Sequence, residues 1–353
     1  MRIACVNQDA GVAPGRAKGA AVHLAAMRAA FAGLGAEVVP FDDSDPHTVQ
    51  AGLRAAQAMR PFDLVYERYA LGRAAAARFA AGCGVPYVVE VNAPLAFEAN
   101  RWRAVEDDDL AREQDREVFA HAALVVAVSS GVVEYAIERG ANPESVELLA
   151  NGVDARLFAP SRRSEFGADN PIPGDRFVLG FHGRLRPWHG FDLFVAASQR
   201  LLQRGVDLHV LTIGEGDFAS ALGRALPESR RTAVDWLPHD QVGRYVALFD
   251  VLPLTYPREL PCYFSPLKLA EAMAAGAVPV VPDSGDLPAL VGDAGLIYPP
   301  GDLDALSDAL VLLALDPVRR QALSDLAVIR AKSQSWDRIA TRVLERACAL
   351  PIR

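Results

Sequence analysis

Short apolar runs alternate with longer segments of helical periodicity along both halves of the chain. The short runs predict buried strands, whereas the Ala- and Leu-rich segments between them predict amphipathic helices. In the first half the predicted strands are 3–6, 37–41, 63–66, 87–91, 124–128 and 146–149, and the predicted helices are 19–34, 48–59, 71–81, 102–121 and 131–139. This alternation predicts an α/β fold, in which helices cover both faces of a parallel sheet.

The second half restarts the same alternation after a break. Residues 154–175 hold three prolines and two glycines with little periodicity, which is the composition of a boundary between domains. Beyond the break the predicted strands are 177–181, 208–213, 234–236, 251–254, 278–281 and 295–298, and the predicted helices include 192–204, 268–275 and 303–315. Two open α/β domains joined in this way are expected to hold ligands in a cleft at the carboxyl ends of their strands.

Composition and charge narrow the classes of function. The chain has 353 residues, which at about 150 residues per domain corresponds to roughly two domains. Hydrophobic residues make up 51% and charged residues 23%, so a buried core is expected. The formal net charge of −8 argues against non-specific binding of nucleic acid, which requires a basic face. An acidic net charge is compatible with a local basic pocket that binds a small phosphorylated ligand.

The sequence predicts a cytoplasmic protein with reduced thiols. No apolar run approaches the ~18 residues needed to span a bilayer. Residues 1–6 are expected to form a strand rather than a signal peptide. The four cysteines are far apart and show neither a disulfide framework nor the spacing of a zinc site: Cys5, Cys83, Cys262 and Cys348.

The strongest candidate segment is 181–190, Phe-His-Gly-Arg-Leu-Arg-Pro-Trp-His-Gly, which follows a predicted strand and opens a helix. Gly183 lets the backbone turn close to a ligand. Gly190 stands at the start of the helix, where free N–H groups and the dipole favour an anion. The basic side chains around this point are Arg184, Arg186 and His189. The alternative is an ordinary strand–turn–helix connection whose arginines are solvated.

A second candidate segment is the helix that ends before Gly276. Ser265 is predicted as its N-cap and Pro266 as its first residue, so that the helix N-terminus offers N–H groups to an anion. Glu271 lies about one and a half turns further along, where its carboxylate is expected to accept hydrogen bonds from the vicinal hydroxyls of a sugar. The alternative for Glu271 is a surface position on an ordinary helix.

Two further segments come from the first half. Gly15 and Gly19 lie in the loop between the first strand and the first helix, where backbone N–H groups can approach a phosphate. The loop matches neither GxGxxG nor a P-loop, which argues against a dinucleotide oxidoreductase and a P-loop NTPase. Asn92 follows a predicted strand, so it belongs to the edge of the sheet that binds ligands. A simple turn begun by Asn92 and Pro94 is the alternative.

No metal site is predicted. Residues 43–45 and 107–109 both contain the D-x-D spacing that can hold a divalent cation. The first looks like a loop that caps a helix, and the second like the solvated face of a charged helix, so the structural reading is preferred for both. Four histidines lack the spacing of metal ligands: His47, His121, His209 and His239.

Taken together, these segments resemble the retaining GT-B glycosyltransferases of family four, and the resemblance covers nearly the whole chain. Further matching pieces are Asn151-Gly152-Val153-Asp154, Ile213-Gly214-Glu215-Gly216, Pro300-Gly301-Asp302, and Trp336 before a final helix. The resemblance implies two Rossmann-like, doubly wound domains that face a central cleft. Residues 1–165 would form the acceptor-side domain, with the helix at about 335–353 packing back on it, and residues 166–334 would bind the donor.

The resemblance implies a hexosyltransferase that retains anomeric configuration. A sugar would move from a nucleotide diphosphate sugar, by default a UDP-sugar, to a hydroxyl of a glycan, a lipid-linked or a small-molecule acceptor, with no obligatory metal and no cofactor. Arg184 would be the main clamp on the diphosphate, His189 would support it, and Asn92 would lie near the transferred sugar. The donor-binding residues expected with them are Gly15, Gly19, Gly183, Arg186, Ser265, Leu267, Lys268 and Glu271.

Three positions depart from the family pattern. His189 replaces the usual Lys, Tyr263 replaces the first Glu of a pair whose second member is Glu271, and Asn92 stands where many members have a His. These changes keep two alternatives open: a GT-B epimerase that converts nucleotide sugars, and a pseudoenzyme that binds a nucleotide sugar with little turnover.

The identity of the acceptor and the oligomeric state are not encoded in any motif found. Four arginines could contact anionic lipid at a membrane surface: Arg101, Arg103, Arg112 and Arg116. Because their neighbours are acidic, a solvated helix is the preferred interpretation.

Overall fold

The computed structural model describes residues 1–12, 19–102, 108–260 and 262–349, without the side chains of 99–102 and 108. The chain divides into two compact units. The first comprises Met1–Asn151, Tyr263–Ser265 and Trp336–Arg353, and the second comprises Gly152–Cys262 and Pro266–Ser335.

The first unit is a parallel sheet of six strands covered by helices. The strands are β1 (Arg2–Asn7), β2 (Glu37–Asp42), β3 (Leu64–Arg68), β4 (Tyr87–Val91), β5 (Leu124–Ala127) and β6 (Val146–Leu148), in the order β2-β1-β3-β4-β5-β6. Its helices are α1 (Gly19–Gly33), α2 (Pro46–Met59), α3 (Ala75–Cys83), α4 (Leu95–Trp102), α5 (Asp108–His121) and α6 (Ser130–Glu138), joined by α14 (Trp336–Ala349). Strands β4 and β5 are buried along their whole length, as in a sheet with both faces covered.

The last helix, α14, packs against α1. Its apolar face buries Trp336, Ile339 and Val343. The Trp336 ring meets the ring of His23 edge to face, with 5.0 Å between the ring centroids. The C-terminal helix therefore completes the hydrophobic core of the first unit.

The second unit repeats the architecture with a second parallel sheet. Its strands are β7 (Phe177–His182), β8 (Leu208–Ile213), β9 (Arg231–Val234), β10 (Val251–Pro253), β11 (Val278–Pro282) and β12 (Leu296–Tyr298), in the order β12-β11-β10-β7-β8-β9. Its helices are α7 (Phe191–Gln203), α8 (Phe218–Gly223), α9 (His239–Val246), α10 (Leu267–Ala274), α11 (Leu287–Val291), α12 (Leu303–Leu315) and α13 (Pro317–Lys332). The predicted α/β class with parallel sheets is thereby confirmed.

Several predicted bounds were wrong. The strand predicted at 234–236 is β9, because this edge strand begins with polar residues that hide it from an apolar pattern. The helix predicted from residue 71 begins only at Ala75, since Gly72 has a left-handed φ of 66° that a helix does not tolerate. The helix predicted as 102–121 begins at Asp108 as α5, and 103–107 lie outside the described residues. No helix in the described part of the chain is both long and apolar enough to cross a bilayer.

Candidate active site

The predicted turn at residues 183–190 follows β7 in the second unit. Gly183 has a φ of 108° and Gly190 a φ of 58°, values that side-chain-bearing residues rarely adopt. At Gly190 space also requires glycine, because a Cβ there would lie 1.9 Å from the carbonyl oxygen of Thr255. A short 3₁₀ helix, Pro187–His189, fills the turn, and α7 begins directly after Gly190. The sequence therefore fixes this loop tightly against β10.

Arg184, predicted as the diphosphate clamp, is paired with a carboxylate in this structure. Its Nε donates to Glu215 Oε2 at 2.6 Å, and the two side chains are 37% and 50% exposed. An ion pair this exposed contributes little stability, so a stronger anion can displace Glu215 at small cost. Arg186 lies over the ring of Trp188, with 5.7 Å between its Cζ and the ring centroid. The roles of both arginines stay predictions.

His189 is an uncharged residue here, which corrects the expectation of a supporting cation. Burial lowers its pKa to about 2, and the charges of Lys268 and Arg186 add to that effect. Its Nδ1 accepts a hydrogen bond from the backbone N–H of Arg186 at 3.1 Å. The neutral ring therefore carries its proton on Nε2. Its membership of the site stays a prediction.

Lys268 lies directly beside this histidine. Its Nζ is 3.3 Å from His189 Nε2 and 4.2 Å from the centroid of the Phe181 ring. Burial lowers the pKa of Lys268 to about 7, against an opposing effect of the Glu271 charge. Because His189 presents an N–H to Nζ, the uncharged amine is the form of Lys268 that can accept a hydrogen bond there. The titratable cation of the turn is thus Lys268, the second residue of α10.

The N-terminus of α10 differs from the prediction by one residue. Pro266 is the N-cap, with ψ of 118°, and Leu267 is the first helical residue, so Ser265 caps nothing. The Ser265 hydroxyl instead accepts the backbone N–H of Asn151 at 3.0 Å, and its carbonyl accepts from Asn151 Nδ2 at 2.6 Å. A residue before proline is kept out of the helical region, which explains the extended chain at Ser265. The free N–H groups of α10 begin after Pro266.

Glu271 is buried, which contradicts the alternative of a surface position, and each of its oxygens has a histidine partner. Its Oε2 lies 2.8 Å from His182 Nε2, and its Oε1 lies 2.7 Å from His239 Nε2. Burial raises the pKa of Glu271, but the two histidine hydrogen bonds outweigh it and bring the value to about 2. The same carboxylate raises the pKa of His239 above its usual value, although burial opposes it. Glu271 is therefore a permanent anion held between two imidazoles.

Sequence reasoning missed the roles of both histidines. His182 ends β7 and is buried, whereas His239 begins α9 and its side chain is 34% exposed. Only the folded chain brings His182, His239 and Glu271 together, and no spacing rule connects them. The single available signal was a histidine at the end of an apolar strand run.

In the first unit, Asn92 lies in a partly buried polar cluster at the carboxyl ends of the strands. Its Oδ1 accepts from Arg68 Nη1, and its Nδ2 lies 3.4 Å from both Glu90 Oε1 and His23 Nε2. His23 Nε2 is 2.8 Å from Glu90 Oε1. The sequence singled out Asn92 alone. Gly19 is the first residue of α1, and Gly15 lies outside the described residues.

The structure contains no group of three or more His, Cys, Asp or Glu side chains able to hold a metal, within the residues it describes. Asp45 caps α2 by accepting the N–H groups of His47 and Thr48, as the preferred reading of 43–45 predicted. In the second acidic segment Asp109 lies in α5, and Asp107 is outside the described residues.

Two family models match the chain. The Glycosyl transferase 4-like domain matches residues 1–152, and the Glycosyl transferases group 1 model matches residues 176–316. The chain belongs to the group 1 glycosyl transferases. The predicted resemblance is thereby confirmed, and its GT-B fold agrees with the solved structures of similar proteins.

Several curated relatives of this group 1 glycosyl transferase are D-inositol 3-phosphate glycosyltransferases. The D-inositol 3-phosphate glycosyltransferase of Kribbella flavida is 31% identical over 216 residues, which is 58% of this chain and 51% of the relative. That of Saccharomonospora viridis is 29% identical over 258 residues, 69% of this chain and 58% of the relative. The chain thus spans little more than half the length of these relatives.

Solved structures of similar fold align along almost the whole chain. Anabaena Alr3699/HepE, solved in complex with UDP, has a TM-score of 0.75 at 20% identity and covers 99% of this chain and 100% of its own. Sucrose-phosphate synthase from Thermosynechococcus elongatus has a TM-score of 0.74 at 18% identity, with 98% and 97% covered. At these identities the similarity shows the GT-B fold alone.

Proposed function

We propose that this chain is a retaining glycosyltransferase that moves a hexose-type sugar from a UDP-linked donor to a hydroxyl of its acceptor. The observation that carries the proposal is the turn after β7, where Lys268 and the N-terminus of α10 stand beside the glycine-bounded loop 183–190. A half-buried amine and free helix N–H groups are suited to a diphosphate. Membership of the group 1 glycosyl transferases supports the same reading.

The proposed chemistry is stabilisation of a leaving diphosphate. Breaking a glycosyl–phosphate bond leaves positive charge on the sugar and negative charge on the phosphate, and preorganised cations lower that barrier most. Lys268 would take up a proton and hold the diphosphate, and Arg184 would turn to it from Glu215. The leaving phosphate would assist deprotonation of the acceptor hydroxyl, without a metal or a cofactor.

The acceptor is proposed to be a hydroxylated small molecule, a glycan or a lipid-linked sugar. The name of the curated relatives adds a phosphorylated polyol, D-inositol 3-phosphate, to the small-molecule candidates. We place the reaction in the cytoplasm, as the cysteine usage and the apolar pattern predict.

One observation supports the rival proposal of a weakly active nucleotide-sugar-binding protein. Tyr263 stands where the resemblance expects a carboxylate, and its hydroxyl donates to Glu98 at 3.0 Å. A carboxylate at that position would be available to the donor sugar, whereas Tyr263 is already engaged. Donor binding without turnover is the outcome that this rival predicts.

The test combines binding and turnover. UDP-glucose, GDP-mannose and their free nucleotides are titrated by thermal shift, because a ligand that binds only the folded state raises its stability. The donor that binds is then incubated with a panel of polyols, polyol phosphates and oligosaccharides, with and without EDTA. Transfer that EDTA leaves intact supports the proposal, and NMR of the product reports the anomeric configuration.

Three outcomes of this test contradict the proposal. Binding without transfer to any acceptor favours the pseudoenzyme, and conversion of the donor in the absence of acceptor favours the epimerase. Complete loss of transfer in EDTA that Mn²⁺ restores refutes the metal-independent mechanism.

A further inference from the structure

The sheet of the first unit has a point at which its strand order reverses. β2 lies on one side of β1 and β3 lies on the other, so successive crossover connections leave β1 in opposite directions. Open parallel sheets bind ligands beside such a reversal, at the carboxyl ends of the strands. Asn7 and Arg68, the last residues of β1 and β3, are paired in register at this point. The fold therefore places Arg68 where a ligand is expected.

Arg68 is a half-buried cation at the end of β3. Its Nη1 donates to Asn92 and lies 3.4 Å from His23 Nδ1, and its Nε has no hydrogen-bond partner among the residues that the structure describes. Within the part of the chain that the structure describes, no carboxylate lies within 4.0 Å of its guanidinium. Burial lowers its pKa to about 10, against the opposing charges of Asp9 and Glu98, so Arg68 stays charged at neutral pH.

The two nearest buried acids are held by other donors. Glu67 accepts from Gln8 Nε2 at 2.5 Å and from the Tyr87 hydroxyl. Glu90 Oε1 lies 2.8 Å from His23 Nε2, and Glu90 Oε2 is buried with no donor in the described part of the chain. The cluster thus contains the guanidinium of Arg68, which has no ion-pair partner among the described residues. It also contains Glu90 Oε2, which can accept a hydrogen bond from a hydroxyl.

We propose that this cluster binds a hydroxylated oxyanion, with Arg68 on the anionic group and Glu90 Oε2 on a hydroxyl. A buried charge is costly until an opposite charge meets it, and the planar guanidinium is shaped for the oxygens of phosphate or carboxylate. That this ligand is the sugar acceptor rests on the proposed function, but the binding of the anion does not.

The experiment titrates three probes that share a carbon skeleton: glycerol 3-phosphate, glycerate and glycerol. The full-length protein is saturated with UDP first, so that a diphosphate site cannot capture the probe, and binding is followed by calorimetry and by the shift in Tm. Both anions are expected to bind and glycerol is not, and the tighter anion identifies phosphate or carboxylate as the natural group. An anion response that disappears when UDP is added would overturn the proposal.

Variants assign the response to Arg68. Arg68→Gln keeps a donor to Asn92 but removes the charge, and is expected to weaken anion binding about 30-fold, the effect of a lost charge-assisted contact of about 2 kcal/mol. Arg68→Lys should keep part of the affinity. Arg78→Gln is the matched control, since Arg78 is exposed on α3 and paired with Glu117. Wild-type affinity in Arg68→Gln, or an equal loss in Arg78→Gln, would refute the proposal.

UDP affinity separates this proposal from the proposed function. Arg68→Gln is expected to bind UDP as the wild type does, which also shows that the variant is folded. Loss of UDP binding together with the anion in Arg68→Gln would count against a local anion site. If the wild type binds no UDP, the proposed function fails, while the anion titration without UDP still tests Arg68.

Discussion

Each unit holds a half-buried cation near the carboxyl edge of its sheet. In the first unit this is Arg68, which contacts Asn92 and His23, and in the second it is Lys268, which contacts His189 and the Phe181 ring. The difference lies in what burial does to each cation. The pKa of Arg68 falls only to about 10, whereas that of Lys268 falls to about 7.

This difference separates two ways of binding an anion. A guanidinium cannot give up its proton at neutral pH, so the first unit holds a fixed positive charge. The amine of Lys268 can lose its proton near neutral pH. The cation of the second unit is therefore charged only when the pH is low or an anion binds. Anion binding in the first unit should therefore be insensitive to Lys268, and nucleotide binding in the second should be coupled to a proton.

The largest expected effect comes from removing the titratable cation. Lys268→Met keeps the length of the side chain but loses the amine, and transfer should fall about 1,000-fold, the upper range for loss of one preorganised donor. Lys268→Arg should retain more activity. The measurement is kcat/KM with UDP-glucose for both variants. Their affinity for glycerol 3-phosphate, measured in parallel, should stay at the wild-type value. Near-wild-type turnover in Lys268→Met would remove this residue from the mechanism.

Arg184→Ala should have the next largest effect, a fall in transfer of about 100-fold. Arg184 is half exposed and must leave Glu215 to reach the diphosphate, so its contribution is expected to be smaller than that of Lys268. The matched variant is Glu215→Gln, which releases Arg184 and should leave transfer at or above the wild-type rate. A normal rate in Arg184→Ala contradicts the clamp.

The pH dependence gives a third, smaller effect. The charged form of Lys268 dominates below its pKa of about 7. Affinity for UDP-glucose should therefore be constant below that pH and fall as the pH rises, by at most tenfold per unit. The diphosphate of UDP-glucose has no ionisation near neutral pH, so the profile reports the protein.

Proton uptake provides the direct measurement of the same coupling. At pH 8.5, calorimetry in buffers of different ionisation enthalpy should show close to one proton taken up per UDP-glucose bound. Lys268→Arg, which stays charged, should bind without uptake and with a flat profile. Uptake that persists in Lys268→Arg would assign the proton to another group, with His239 the first candidate.

The sequence was a good guide to elements whose pattern is complete within one segment. Strands β4 and β8 were predicted at the bounds observed, because a strand covered on both faces is predominantly apolar. The edge strand β9 was misplaced because half-exposed positions carry Arg231 and Thr232. Edge strands lack the signal that identifies a buried strand.

The chemistry of the site was harder to predict from the sequence than the position of the site. Segment 181–190 and Lys268 were both selected, but the neutral state of His189 arises from burial that only the folded chain creates. Arg68 and His23 were missed because they are far apart in sequence. The overlooked signal was the pair Glu67 and Arg68 at the end of an otherwise apolar strand.

The smallest expected effect concerns Glu271, which the sequence predicted to bind the ribose. That prediction assumed that its carboxylate oxygens had no partner in the protein. His239 holds Oε1, and its partial exposure makes it the partner that a ribose hydroxyl can replace. If it is replaced, His239→Ala should tighten UDP binding about fivefold, since a typical hydrogen bond contributes about 1 kcal/mol net. Pyrophosphate, which has no ribose, should bind both proteins equally and is the matched ligand. Weaker UDP binding with unchanged pyrophosphate binding would mean instead that His239 orients Glu271 for the ribose. In that case the loss of His239 lowers affinity only for UDP, because UDP carries the ribose and pyrophosphate does not.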